Sequence, residues 1–343
     1  MKILVTGDRG YIGSTLMVFL NEEKYQVVGL DTDFFRSTID SSIIASSYKK
    51  ITKDIREVDE KDIEGIDAII HLCALSNDPI GELDPRLTEE INFKSSVRLA
   101  RLAKKIGVKR FIFSSSCSVY GISKNRIVDE ESETNPLTAY AKSKIEAEKK
   151  LLKLADDDFC VCVLRSSSVY GYSPKFRNDL VVNNLITTGL AYNQIRIMSD
   201  GTPWRPLIDV RDLSSIFIEF LKAEKDAINA KIINVGFDEN NFQVRDLVGI
   251  IKNVLVNCNI VYTGKHGKDT RSYRVSFNKF KKIFPSIKQE WTLEKSVEDL
   301  VRRLKKANFG KNEYSKGEFT RLTVLKKLME SNLVDSKLYW VNK

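Results

Sequence analysis

Tyr140 and Lys144 stand four residues apart in Tyr140-Ala141-Lys142-Ser143-Lys144, a spacing that sets a phenol and an ammonium on one face of a helix. The preceding Asn135-Pro136-Leu137-Thr138 reads as the start of that helix. A phenol with a pKa near ~10 is a poor base at neutral pH. Lowering it by ~3 units takes about 4 kcal/mol, which a neighbouring ammonium and a second cationic group can supply in a low-dielectric cleft. Spacing alone carries little weight, because surface pairs of this kind arise by chance. Position adds weight. The helix follows an apolar strand, Phe111-Ile112-Phe113-Ser114-Ser115-Ser116, whose polar end offers hydroxyls. Ser116 would share the hydrogen bond of a substrate hydroxyl with Tyr140. The three residues then read as a base, the cation that tunes it and the group that orients the reacting oxygen.

The chain opens on a second stretch with chemistry in it. Lys2-Ile3-Leu4-Val5-Thr6 reads as a strand and Gly7-Asp8-Arg9-Gly10-Tyr11-Ile12-Gly13 as a turn into a helix. A second strand, Gln26-Val27-Val28-Gly29-Leu30, follows and ends at Asp31. Three glycines let the backbone approach a diphosphate, and the helix N-terminus supplies free N–H groups and a positive dipole end. Asp31 lies 18 residues past Gly13. A carboxylate there accepts hydrogen bonds from both ribose hydroxyls and repels a 2′-phosphate, so the expected coenzyme is NAD rather than NADP. Its nicotinamide ring is the second cationic group, expected beside the end of the 111–116 strand.

These residues need a scaffold. Residues 66–72 read as a strand, 85–106 as a long helix, 110–115 as a strand, 138–155 as a helix and 159–164 as a strand. The alternation predicts an α/β chain with a Rossmann-like doubly wound parallel sheet. Right-handed crossovers bring every strand's carboxyl end to one edge, where ligands bind. From Tyr170 the rhythm breaks into a loop at 171–174, a helical stretch at 178–188 and a turn at 199–203. It resumes at 207–209, continues as a helix through Phe220, and ends in a strand at 232–235. The expected division is an NAD-binding domain of residues 1–168 and 206–236 and a smaller, discontinuous C-terminal substrate-binding domain of 169–205 and 237–305. A tail, 306–343, carries the helical stripe Phe319, Leu322, Leu325, Leu328 and Met329, expected to pack on its own domain or on a sister subunit.

Apolar content of 42% and charged content of 29% over 343 residues are those of an ordinary globular chain. No apolar run approaches the ~20 residues of a membrane helix. The N-terminus enters a strand with no cationic leader, so a cytoplasmic location is expected. The net charge of +9 is spread through lysine-rich helices without aromatic interleaving. That pattern fits a solvated surface or attraction of an anionic substrate, and no nucleic-acid partner is expected. Cys73, Cys117, Cys160, Cys162 and Cys258 show no metal-ligand spacing and read as reduced thiols. With His71 and His266 the only histidines, a mechanism needing several imidazoles is excluded and no metal site is expected.

The motifs, in order from residue 1 to about 300, resemble those of extended short-chain dehydrogenase/reductases of the NAD-dependent nucleotide-sugar epimerase/dehydratase branch. They are Thr6-Gly7-x-x-Gly10-x-x-Gly13, Asp54-Ile55, His71-Leu72-Cys73-Ala74, Asn92, Ser114-Ser115-Ser116-Cys117-Ser118-Val119-Tyr120-Gly121 and Tyr140-x-x-x-Lys144. Arg205-Pro206-x-x-Asp209-Val210-x-Asp212 and Arg271-Ser272-Tyr273-Arg274 follow. The resemblance implies that Tyr140 takes a proton from a sugar hydroxyl while hydride passes to NAD, that Lys144 binds the nicotinamide ribose, and that Ser116 bonds the reacting oxygen. It implies a coenzyme site of Gly7, Arg9, Gly10, Tyr11, Ile12, Gly13, Asp31, Asp54, Ile55, Leu72 and Ala74 together with Tyr140 and Lys144, with Asp54 and Ile55 flanking adenine. Ser76, Ser118, Asn178, Asn183, Arg205 and Arg271 would contact a nucleotide-diphosphate sugar. The two arginines would hold its base side and its diphosphate. A homodimer through the helices at 85–106 and 138–155 is also implied.

Departures from the family pattern narrow the chemistry. The family's 4,6-dehydratases follow the serine or threonine with Asp and Glu, whereas Ser116 is followed by Cys117 and Ser118. A thiol and a hydroxyl do not replace that acid and base at neutral pH without strong activation, so dehydration is disfavoured. No histidine falls near 170–184 to complete the Cys/His pair of relatives acting on keto-deoxy sugars. Hydride transfer at one sugar carbon remains, with C4 expected. The enzyme is an epimerase if the keto-sugar turns over within the site, and a dehydrogenase or ketoreductase if it leaves. A non-catalytic relative binding RNA or a protein is the alternative from another class, and an intact serine, tyrosine and lysine argue against it.

Overall fold

Seven parallel strands run through the middle of the molecule: β1 (Lys2–Thr6), β2 (Gln26–Asp31), β3 (Lys49–Thr52), β4 (Ala68–His71), β5 (Arg110–Ser116), β6 (Cys160–Ser166) and β7 (Lys231–Val235). Their order across the sheet is β3-β2-β1-β4-β5-β6-β7. The order reverses between β1 and β4, which opens a crevice at their carboxyl ends. The computed structural model describes residues 1–39, 48–76, 78–81, 83–263 and 271–341. Inner strands such as Ile3-Leu4-Val5 and Val161-Cys162-Val163-Leu164 are buried throughout, as both faces of a parallel sheet require.

The main helices are α1 (Tyr11–Glu22), α2 (Ser95–Lys105), α3 (Ala139–Leu151), α4 (Val181–Tyr192), α5 (Val210–Lys222), α6 (Val244–Val254), α7 (Leu293–Lys306) and α8 (Arg321–Glu330). Leu99 and Ala103 of α2 and Ala147 and Leu151 of α3 pack on one face of the sheet. Leu16 and Leu20 of α1 and Phe217 and Phe220 of α5 pack on the other. A third core joins Leu185 of α4, Leu247 of α6 and Val297 and Leu300 of α7 to Tyr170 and Phe176. None of the described helices is long and apolar enough to cross a membrane.

Two stretches differ from the sequence reading. The helix expected over 85–106 is broken into Pro85–Thr88, a π-helical stretch Glu89–Lys94, and α2. The wide turn holds Asn92, fully buried, whose Oδ1 accepts from Leu75 N at 2.7 Å and whose Nδ2 donates to Leu75 O and Ser143 Oγ, both at 3.2 Å. It ties the exit of β4 to α3. The helix expected from 178 begins instead at Val181, because Asn178 N donates to Phe319 O at 3.0 Å and the Arg177–Asp179 ion pair, at 2.9 Å, closes a loop ahead of it.

The tail stripe serves its own chain. Leu325 is buried in the α2/α3 core, and Leu322, Leu328 and Met329 lean on it, whereas Phe319 turns to Phe176 and Phe309. The outer sides of α2 and α3, expected to meet a second copy, carry Arg98, Arg101, Lys105, Lys142, Lys149 and Lys150 with Glu146, a mainly basic surface.

Beneath the carboxyl end of β5 lies a buried ionic network. Glu148 of α3 accepts from Arg165 Nη2 at 2.7 Å and from the Ser115 hydroxyl. Arg165 also donates to Tyr120 Oη at 3.0 Å, and that hydroxyl donates to Asn234 Oδ1 at 2.8 Å. Glu148→Gln leaves a buried guanidinium without its counter-charge, so the expected loss of unfolding free energy is about 3–5 kcal/mol, read by urea denaturation. A loss below ~1 kcal/mol, the range of an exposed pair, would contradict the network's structural role.

Candidate functional site

Gly7 leaves β1 with φ +78°, and a Cβ there would stand 3.0 Å from Cys73 N. A Cβ at Gly13 would run into the Gly7 carbonyl and lie 2.8 Å from Asp8 Cα. Only glycine lets α1 close on the turn. Gly10 caps α1 without a side-chain acceptor, so the amides of the first turn are left for an anion. The tight turn, the uncapped amides and an acid at the tip of β2 fit the diphosphate and ribose of a dinucleotide.

Asp31 accepts from Asp33 N at 2.8 Å and Arg9 N at 3.3 Å. Burial pushes its carboxyl up, opposed by the Asp33 amide and the Arg9 charge. The Arg9 guanidinium pins the ends of β2 and β3 by donating to Asp31 O at 2.7 Å, Ile51 O at 3.0 Å and Thr52 Oγ1 at 3.1 Å. Asp54 receives a two-pronged contact from Arg56 at 2.9 and 2.8 Å, beside the buried Ile55. Leu72 N donates to Thr6 O at 3.1 Å, so Leu72 and the half-buried Ala74 run alongside the glycine turn. Ile12 is half-buried against the α1/α5 core. The Tyr11 hydroxyl donates to Gly171 O at 2.6 Å and receives Asn183 Nδ2 at 3.3 Å.

Tyr140 sits in the first turn of α3, which Thr138 caps by accepting from Ala141 N at 3.2 Å. One turn on, Lys144 is 2% exposed; its Nζ donates to Ser114 O at 2.7 Å and lies 5.7 Å from the centre of the Tyr140 ring. Burial pulls its pKa down to about 8, against smaller opposing effects from Cys73 and Glu148. Ser116 Oγ accepts from Ser118 N at 3.1 Å, which leaves the Ser116 proton to donate elsewhere. The Ser118 hydroxyl is buried and makes no hydrogen bond among the described residues. Only β4 separates β5 from β1, so the Tyr-Lys-Ser set and the glycine turn share one edge of the sheet.

The remaining predicted residues divide into two groups. Arg205 donates to Trp204 O at 2.9 Å and to the carbonyl of Arg271, which brings the two arginines together across 66 positions. Ser76 Oγ receives Arg177 Nη1 at 3.0 Å. Asn183 and Asn178 are spoken for internally. Asn183 accepts from Gly171 N at 3.0 Å and donates to Arg177 O at 2.8 Å, and Asn178 Oδ1 accepts from Thr320 Oγ1 at 2.6 Å. His71 lies between the hydroxyls of Thr6 at 2.6 Å and Ser96 at 2.8 Å, and burial pushes its pKa down to about 3, so it stays neutral. His266 lies outside the described residues. The Cys117 thiol donates to Arg165 O at 3.1 Å, and burial pushes it far up. Sequence reasoning gave no role to Lys175, Arg177 or Arg321, all buried at this edge. Their placement depends on a loop and a chain end folding back, which leaves no local signal.

The sequence model of the NAD dependent epimerase/dehydratase family matches residues 3–236. UDP-glucose 4-epimerase of Bacillus subtilis (strain 168) is 30% identical over 267 residues, covering 69% of this chain and 77% of that protein. Human dTDP-D-glucose 4,6-dehydratase (Homo sapiens) is 28% identical over 264 residues, covering 73% of this chain and 74% of that protein. The crystal structure of UDP-glucuronic acid 4-epimerase from Bacillus cereus, in complex with UDP-glucuronic acid and NAD, superposes with a TM-score of 0.78 at 25% identity, covering 89% of this chain and 99% of that one.

Gly13→Val forces α1 off the turn. Overpacking of this kind costs about 1–3 kcal/mol, so the expected outcome is a lower melting temperature together with loss of dinucleotide binding in a calorimetric titration. Lys144 gives a pH signature. The unfolded chain keeps this proton up to the ordinary lysine value of 10.5, whereas the native state releases it near 8. The unfolded state therefore holds more protons across that window, and stability gains from Lys144 as pH rises through it. Urea denaturation across the window should show the coenzyme-free protein gaining stability relative to Lys144→Met.

Proposed function

Because the chain belongs to the NAD-dependent epimerase/dehydratase family, we propose that it is a nucleotide-sugar 4-epimerase in which Tyr140 is the base. The observation that carries this reading is the buried Lys144 ammonium, one helical turn below Tyr140 and anchored on Ser114 O at 2.7 Å. A cation fixed there favours the phenolate of Tyr140 over the phenol. Ser116, with its proton left to donate, holds the sugar oxygen while Tyr140 takes up and returns the hydroxyl proton. NAD, when bound, supplies the acceptor and then the donor of the hydride at the sugar carbon, C4 in this reading. Gly7, Gly10 and Gly13 with the first turn of α1 would hold its diphosphate, and Asp31 its adenine ribose.

Ser118, whose buried hydroxyl makes no hydrogen bond among the described residues, would receive the sugar. Arg205 and Arg271 would take the nucleotide side. The relatives named for epimerisation act on UDP-glucose and UDP-glucuronic acid, so a UDP-sugar is the first substrate to try. We set dehydration aside on the chemistry at Ser116: the following Cys117 is a buried thiol bonded to a carbonyl, and Ser118 is a neutral hydroxyl. Neither supplies an acid and base pair at neutral pH.

Tyr140→Phe should lower turnover of UDP-glucose or UDP-glucuronic acid by about 10²–10⁴-fold, the contribution of a positioned base, while NAD still binds. The product is read by NMR as the C4 epimer, with no free NADH accumulating. Stoichiometric NADH release would identify a dehydrogenase instead. Loss of water from the sugar would identify a dehydratase.

A further inference from the structure

The chain end returns over the far side of the coenzyme crevice. Arg321, the first residue of α8, is 2% exposed; its guanidinium donates to Lys175 O at 2.9 Å and lies 4.1 Å from the centre of the Phe35 ring. Lys175, also buried, donates its ammonium to Arg36 O at 2.9 Å. Among the described residues no carboxylate lies within ion-pair distance of either cation. The ionisable groups that act on Arg321 are Arg177, Asp179, Asp31 and Tyr11, and burial pulls its pKa down to about 9. Those acting on Lys175 are Asp33, Arg321, Asp31 and Arg9. Lys175 N donates to Ser173 Oγ at 3.2 Å, and that hydroxyl donates to Tyr11 O at 2.6 Å, so the two buried cations lie near the glycine turn on one side and the Phe35-Arg36 stretch just past Asp31 on the other. Charges withdrawn from water in this way call for an anion.

Further along, the Trp340 indole N–H donates to Thr32 O at 2.7 Å. Leu338, Tyr339 and Trp340 wall a pocket whose other sides are Thr32, Thr52, Lys53 and Asp54. The pocket therefore opens just past the tips of β2 and β3, next to Asp31 and against Asp54, and the tail gives it apolar and aromatic sides. An isolated phosphate would answer the two cations but not this pocket. An adenosine diphosphate group carries both the charges and the flat ring.

We propose that residues 321–340 complete the coenzyme site: Arg321, with Lys175, neutralises the dinucleotide's diphosphate, and Leu338, Tyr339 and Trp340 close the adenine side. This rests on the NAD reading above and adds to it a segment that lies beyond the family match, which ends at residue 236. The tail then acts as a strap that retains the adenosine half while the nicotinamide end stays open to the sugar.

The test is calorimetric titration of the full chain with ADP-ribose, for the wild type, Arg321→Gln and Trp340→Ala, with ligand-free melting curves as the check on folding. Loss of one charge-assisted contact should raise the Kd of Arg321→Gln about tenfold or more, with a smaller rise for Trp340→Ala. Lys175→Gln, outside the tail, gives a second reading of the same charge pair should Arg321→Gln fail to fold. Variants that bind as tightly as the wild type would overturn the tail's role and leave the NAD reading intact. Variants that bind more tightly would also overturn it, since the tail would then occupy the site rather than complete it. A wild-type chain that binds no ADP-ribose would end both readings together.

Discussion

A lysine ammonium out of water is costly unless the fold supplies what water did. The Lys144 ammonium donates to Ser114 O of β5, so the charge stays in place only while α3 stays seated on that strand. Glu148, one turn further along α3, takes the Ser115 hydroxyl and the Arg165 guanidinium from β5 and β6 and keeps it seated. Asn92 holds the same helix from its other side through Ser143. The chemistry proposed for Tyr140 depends on this arrangement more than on any feature of Tyr140 itself. A helix that could rock would carry the phenol and its cation together away from β5 and the Ser116 hydroxyl.

The sheet does the rest by topology. Because the strand order reverses between β1 and β4, the turn after β1 and the hydroxyl-rich end of β5 face one crevice, although about a hundred residues separate them in the chain. The glycines leave room for a close approach at the turn, and the acid at the tip of β2 lies beside it.

What could be read from the sequence was local. The glycine turn, Asp31 and the Tyr140–Lys144 pair are patterns of close neighbours governed by backbone sterics and helical periodicity, and the structure brings them to one edge. The alternation of strands and helices was equally legible, because burial on both faces of a parallel sheet writes itself as apolar runs. The break at 89–94 and the late start of α4 were not, because each is set by a hydrogen bond to a distant backbone group: Leu75 for one, Phe319 for the other. The internal partners of Asn178 and Asn183, which the family resemblance assigned to the substrate, were hidden for the same reason. Each bonds a group far off in the fold or in the 171–180 loop, and no local pattern marks such a partner. Arg321 was hidden more deeply still, since nothing near the C-terminus signals the neighbourhood of residue 31.

Asn183 has one further consequence. Its amide bonds both Gly171 and the Tyr11 hydroxyl, and Tyr11 bonds Gly171 in turn, so the loop leading into α4 and the first turn of α1 form one closed triangle of hydrogen bonds. A ligand that settles on α1 and a ligand that settles under the 171–180 loop therefore press on a shared, buried joint. Any coupling between the two that passes through this joint must act by the same factor whichever of them arrives first.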